Sequence, residues 1–336
     1  MPSKVSKASP NLASVFQRGP IVLDHKDLAY NPCNDVIFPT VIGTAARIRN
    51  PLNAYYMYYA PHDPPGGICM AHAPALTGPW TEYTANPLIQ KDWPPHYNVG
   101  HVSAPHVIWV ADEQRMFLYY HGDNDQTHYA VSEDGIKFTY GGVALSQFDY
   151  ADYIPGTYDR IFYGRVYEHR LPSKDNAYIM LVVRSSNQGA HKQAIYLSWS
   201  KDARRWSTPV SIIEPYGDAL AAWSPCLFRL GDRYYVAYHT EFKGSANDPK
   251  PHTNIWVDEF DADFSVRKPL GEMLEHHLFG ADNDRVADPV VLVEGDTAYL
   301  AVSIDTWFNQ RIALATANMA DLEQALRNAS RQAIQQ

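Results

Sequence analysis

Short apolar segments alternate with polar turns along almost the whole chain, and that alternation is itself repeated. Each unit opens with an apolar segment, usually broken by a proline. A tyrosine-rich segment ending in polar residues follows, then a third that runs into a polar turn. The first unit reads Asp35-VIFPTVI, AYYMYYAPH from Ala54, then GICMAHAP and TGPWTEY. The second reads VSAPHVIWV from Val102, RMFLYYHGD from Arg115, then THYAVSEDGIKF. The third reads YDRIFYGRVYEHR from Tyr158, AYIMLVVRSS, then AIYLSWSKDARRW. The fourth reads WSPCLFRL from Trp223, RYYVAYHTE, then NIWVDEFD, and the fifth ADPVVLVEG from Ala287, AYLAVSIDTW, then RIALATA. Pro39, Pro105, Pro225 and Pro289 mark four of these openings, and the third is set near Asp159.

A period of roughly 55–65 residues, with three or four short strands per unit, predicts radial blades. An open solenoid would show stricter and shorter repeats than these variable, aromatic strands. The expected fold is therefore all-β, a five-bladed β-propeller with a short C-terminal helix. Residues 1–19 are expected to be a flexible tail, 20–319 the propeller, and 320–336 the helix, with Leu322, Ala325 and Leu326 on one face. The segment PIVLDH from Pro20 is expected to pair with the last blade and close the ring.

Composition narrows the function. Apolar residues at 46% and charged residues at 19% describe a folded globular chain. The balance of 28 basic to 37 acidic residues, without basic clusters, argues against nucleic acid as a partner. No apolar run is long enough for a membrane span. Three scattered cysteines, with no CxxC pair, argue against a disulfide framework and against a zinc site. Met1–Arg18 lacks the apolar centre of a signal peptide, so a cytoplasmic protein is expected, or a secreted or periplasmic one if a leader has been removed. The 23 tyrosines and 8 tryptophans suit pleated strands, and also offer flat faces to sugar rings.

In a propeller the innermost strands converge, so polar residues at equivalent strand ends meet at the axis. First-strand starts supply Asp35, His101 with Ser103, Asp159 with Arg160, Trp223 with Ser224, and Asp288. Second-strand ends supply His62 with Asp63, His121 with Asp123, Arg184, His239 with Glu241, and Asp305. A set this rich in carboxylates and histidines suits glycosidic hydrolysis, which needs one protonated acid and one ionised carboxylate. Asp35, Asp159, Glu241 and Asp288 are the expected catalytic residues. His101, His121, Arg160, Arg184, Trp223, His239 and Asp305 are expected to bind substrate, an oligosaccharide. No metal ligand set is expected. Each assignment competes with a plainer one: Asp35 with a turn, Asp159 with an ion pair to Arg160, Trp223 with core packing.

Three segments carry a resemblance. VSAP-His106-Val, Asp159-Arg-Ile-Phe, and Trp223-Ser-Pro-Cys followed by LGDRYYVAYH together resemble the blade openings of five-bladed propeller glycoside hydrolases, family 43 above all. The resemblance implies an exo-acting, inverting enzyme acting on a plant- or algal-type oligosaccharide. It implies that Asp159 tunes the acid, so that Asp159→Asn would cost turnover and little stability. It also implies room for a Ca²⁺ ion in the central channel, with no cofactor required. Two positions depart from the family. Its general-base position, before the first-blade proline, is Phe38; its general-acid position, two before the fourth-blade proline, is Trp223. Asp35 or Asp288 is then left as base, and Glu241 or a histidine as acid. The rival expectations are a polysaccharide lyase, with histidine and tyrosine catalysis and Arg184 neutralising a uronate, and a non-catalytic carbohydrate-binding propeller.

Overall fold

The computed structural model describes residues 11–156, 159–185, 193–243 and 251–333. Five four-stranded antiparallel sheets are arranged as blades, each strand hydrogen-bonded to the next in sequence. The innermost strands are Ile37–Gly43, Val102–Val110, Arg160–Glu168, Ala222–Leu230 and Val286–Glu294. Blade five takes its outer strand, Gln17–Asp24, from the other end of the chain, where it pairs with Arg311–Asn318. The ring is thus closed between elements remote in sequence, as the PIVLDH segment predicts. The helix spans Met319–Ala333 and buries Leu322, Ala325 and Leu326. It packs against the outer strand of blade four (Arg267–Leu274) and against Arg311–Asn318, the third strand of blade five. The first ten residues of the expected tail, and the last three of the helix, lie outside the described residues.

A proline removes a ladder donor, so a strand interior accepts one only where pairing is already interrupted. All five innermost strands are interrupted at the same place. Their pairing slips between Ile37 and Thr40, Ser103 and His106, Phe162 and Arg165, Trp223 and Cys226, and Ala287 and Val290. The first residue of each bulge is left-handed: Phe38 (φ 60°), Ala104 (51°), Tyr163 (58°), Ser224 (46°) and Asp288 (55°). Pro39, Pro105, Pro225 and Pro289 follow four of them. In blade three the follower is Gly164, where an added Cβ would lie 2.9 Å from the Thr127 side chain. The third blade is therefore in register at Tyr163–Gly164, not at Asp159. Without a proline to mark it, the sequence reading placed it too early.

The bulges turn backbone carbonyls toward the axis, and blade three satisfies several. Arg165, 1% exposed, donates from Nη1 to the carbonyls of Pro39 (3.2 Å) and Pro105 (3.5 Å), and the Tyr167 hydroxyl donates to that of Pro225 (3.3 Å). Left-handed backbone is costly for residues branched at Cβ. Ala104→Gly is expected to keep or raise stability, and Ala104→Val to lower it by about 1–3 kcal/mol. Urea unfolding of the two variants checks this, and equal midpoints would remove the assigned strain.

Candidate functional site

The bulges leave the starts of the innermost strands facing a cavity of about 340 Å³ at one end of the axis. Its wall includes Phe38, His62, Asp63, His101, His121, Arg160, Tyr163, Gln193, Trp223 and Trp307. Of the residues expected to bind substrate, His101, His121, Arg160 and Trp223 are brought together here. Trp223 is held by a hydrogen bond from its indole Nε1 to Gln193 Oε1.

The carboxylates lie elsewhere. Asp159 is fully buried, and its Oδ2 accepts from Arg184 Nε (2.9 Å) and Nη2. Arg184 also donates to Asp152 (2.5 Å) and stacks on Tyr150. Neither Asp159 nor Arg184 lines the cavity. Asp288 lies on the innermost strand of blade five, fixed by Ser224 Oγ (2.5 Å) and Ser303 Oγ (2.8 Å). Its backbone N–H donates to His239 Nδ1 (3.2 Å), which assigns the ring proton to Nε2. His239 packs edge-on against Trp223 and has its pKa lowered to about 3, first by burial. Glu241 is outside the cavity wall, and Asp305 is paired with Arg311 (2.5 Å) beside a separate depression.

Asp35 is buried, with Oδ1 accepting from the Gln310 N–H (2.9 Å) and Oδ2 without a partner. Burial lifts its pKa to about 6. An unfolded aspartate titrates near about 3.9, so between these values only the folded chain holds the proton, and stability falls as pH rises. Asp35→Asn is expected to flatten that fall. Asp258, also raised to about 6, contributes the same slope to both proteins, so their difference isolates Asp35. Denaturant unfolding from acid to neutral pH checks it, and parallel curves would contradict it.

Two histidine–aspartate pairs face the cavity. His62 Nδ1 lies 2.8 Å from Asp63 Oδ1, and His101 Nδ1 lies 3.4 Å from Asp123 Oδ1. His62 also packs edge-on against Trp307, with centroids 4.2 Å apart. Its pKa is lowered, chiefly by burial, against the opposing pull of Asp63. His121 is held well below the usual imidazole value by burial and by His101 and His62. The strand-end rule reaches His62 and Asp63 without giving them a role, and it misses Trp307, which lies in a loop. Among the described residues no three His, Cys, Asp or Glu side chains converge on a metal position. Arg165 brings a guanidinium into the channel, so these residues do not fit the Ca²⁺ ion expected there.

No protein-family model and no curated protein sequence matches the chain. Solved structures do. An α-L-arabinofuranosidase from Podospora anserina, in complex with cellotriose, is 13% identical over 93% of this chain and 99% of its own, with a TM-score of 0.63. The chain shares its five-bladed propeller fold with this arabinofuranosidase. A thermostable family-43 glycoside hydrolase is 15% identical over 83% and 88%, with a TM-score of 0.60. An N-acetylgalactosamine deacetylase from F. plautii, in complex with blood group B trisaccharide, is 13% identical over 93% and 98%, at 0.64. Likeness at this level establishes the propeller, and the chemistry has to be argued from the side chains.

Proposed function

We propose that the chain is a glycoside hydrolase that takes the end of a plant- or algal-type oligosaccharide into the axial cavity and inverts the anomeric centre. The observation that carries this reading is the pair of His–Asp dyads in a cavity walled by Trp223 and Trp307. The tryptophans offer apolar faces to a sugar ring. Hydrolysis needs one group that takes a proton from water and one that gives a proton to the leaving oxygen. With Nδ1–H directed at Asp63, His62 presents an unprotonated Nε2, and burial favours that neutral form. It is the base. His101 places its Nδ1 3.4 Å from the Asp123 carboxylate, which orients the ring at the cavity wall. It is the acid. The dyads come from blades one and two, and inversion requires that the base and the sugar leave room between them for the attacking water. This division replaces the carboxylate pair, whose family positions are Phe38 and Trp223.

One observation favours the lyase as a second reading. A neutral His62, Tyr163 and Arg160 share the cavity, and Asp63 is the one carboxylate among the described residues of its wall. Proton NMR of the first product formed from a panel of neutral and acidic oligosaccharides separates the readings. A new reducing end of inverted configuration is the expected result. An alkene signal identifies the lyase, and binding without turnover identifies a carbohydrate-binding propeller.

A further inference from the structure

The residue three positions before each left-handed bulge residue occupies an equivalent place at the cavity end of its strand. These five are Asp35, His101, Arg160, Ala221 and Arg285. His101 and Arg160 line the cavity. Arg285 is 4% exposed and lies 4.1 Å over the ring of Trp307, itself part of the wall. Its Nε and Nη2 are buried without a hydrogen-bond partner. No carboxylate among the described residues reaches it at ion-pair distance. Around the cavity, Asp288 is engaged by Ser224 and Ser303 and Asp63 by His62, while Asp35 accepts from the Gln310 N–H through Oδ1 and keeps Oδ2 unpartnered, beyond ion-pair distance of Arg285.

A buried guanidinium without an anion is costly, because its lost hydration is not replaced. Arg285 does not line the cavity itself but lies against Trp307, which does, and such a group next to a cavity is satisfied when a ligand brings the anion. We propose that Arg285, with Arg160 at the rim, binds the carboxylate of an anionic sugar, so that the cavity's substrate is a uronic acid residue. The inference rests on reading the cavity as a glycan site. The planar fork of arginine matches a carboxylate in two parallel hydrogen bonds, and stacking on Trp307 holds the fork in one plane. The sugar ring then lies in the aromatic part of the cavity, toward Phe38 and Trp223, with its acid group turned to blades three and five.

The test is binding to the intact protein, followed by ligand-observed NMR titration. The probes are methyl glucuronide, methyl galacturonide, their neutral glucoside and galactoside, and a sulfated galactoside. The uronides are expected to bind about tenfold to a hundredfold more tightly than the neutral glycosides, with an advantage that shrinks as salt is added. Arg285→Gln is expected to abolish that advantage, bringing uronide affinity down to that of the neutral glycosides. Arg160→Gln, at an exposed position, is expected to reduce it and serves if the first variant fails to fold. Equal affinity for acid and neutral sugars overturns the carboxylate site and leaves the glycan cavity standing. Preference for the sulfated sugar alone overturns the carboxylate. Binding of no sugar overturns both.

Discussion

Asp159→Asn is expected to lose about 3–5 kcal/mol of folding stability while leaving ligand affinity of the folded fraction unchanged. Asp159 and Arg184 are 0% and 1% exposed, and their pairing is two-pronged. Removing the aspartate charge strands a guanidinium among Tyr150 and Tyr196, where water cannot replace the lost partner. Asp152 remains, but it is 74% exposed and solvent weakens its hold. The family resemblance implies the opposite outcome, turnover lost and stability kept. Urea unfolding alongside a binding titration distinguishes them. An Asn variant as stable as the parent, but inactive, would return Asp159 to the catalytic machinery.

His62→Gln is expected to lower kcat/KM by about a hundredfold to ten-thousandfold, the range of a lost general base. Glutamine keeps a polar group near Asp63 but takes no proton. The pH profile gives a second readout. A histidine base works in its neutral form, so activity should fall as pH drops through its folded pKa. Burial places that pKa below the ordinary imidazole value, and the acid limb should lie correspondingly low. Asp63 opposes the shift, so Asp63→Asn should move the limb lower still. An acid limb that is unmoved by Asp63→Asn, or a His62→Gln variant with near-parent activity, would exclude the dyad.

The ring was legible because a proline marks the bulge in four blades and the same left-handed geometry recurs in each. It was misread in blade three because Gly164 replaces the proline there, which moved the apparent register back to Asp159. Strand-end counting gathered His101, His121, Arg160 and Trp223, since inner strands converge whatever their sequence. It could not exclude Arg184 or Asp305, whose partners Asp159 and Arg311 become visible only when burial and pairing are known. It passed over Trp307, which reaches the wall from a loop with no periodicity. Arg285 precedes its strand, and nothing in the chain distinguishes it from a solvated surface arginine.

The closure of blade five has a consequence for biosynthesis. During translation Gln17–Asp24 leaves the ribosome long before Arg311–Asn318 exists to receive it. The cavity straddles that seam, drawing Phe38 and His62 from blade one and Trp307 from blade five. Contacts so distant in sequence form late. A nascent or truncated chain can therefore hold several well-formed blades and still have no binding site, so capacity to bind ligand should arrive all at once, as a mark of a finished molecule.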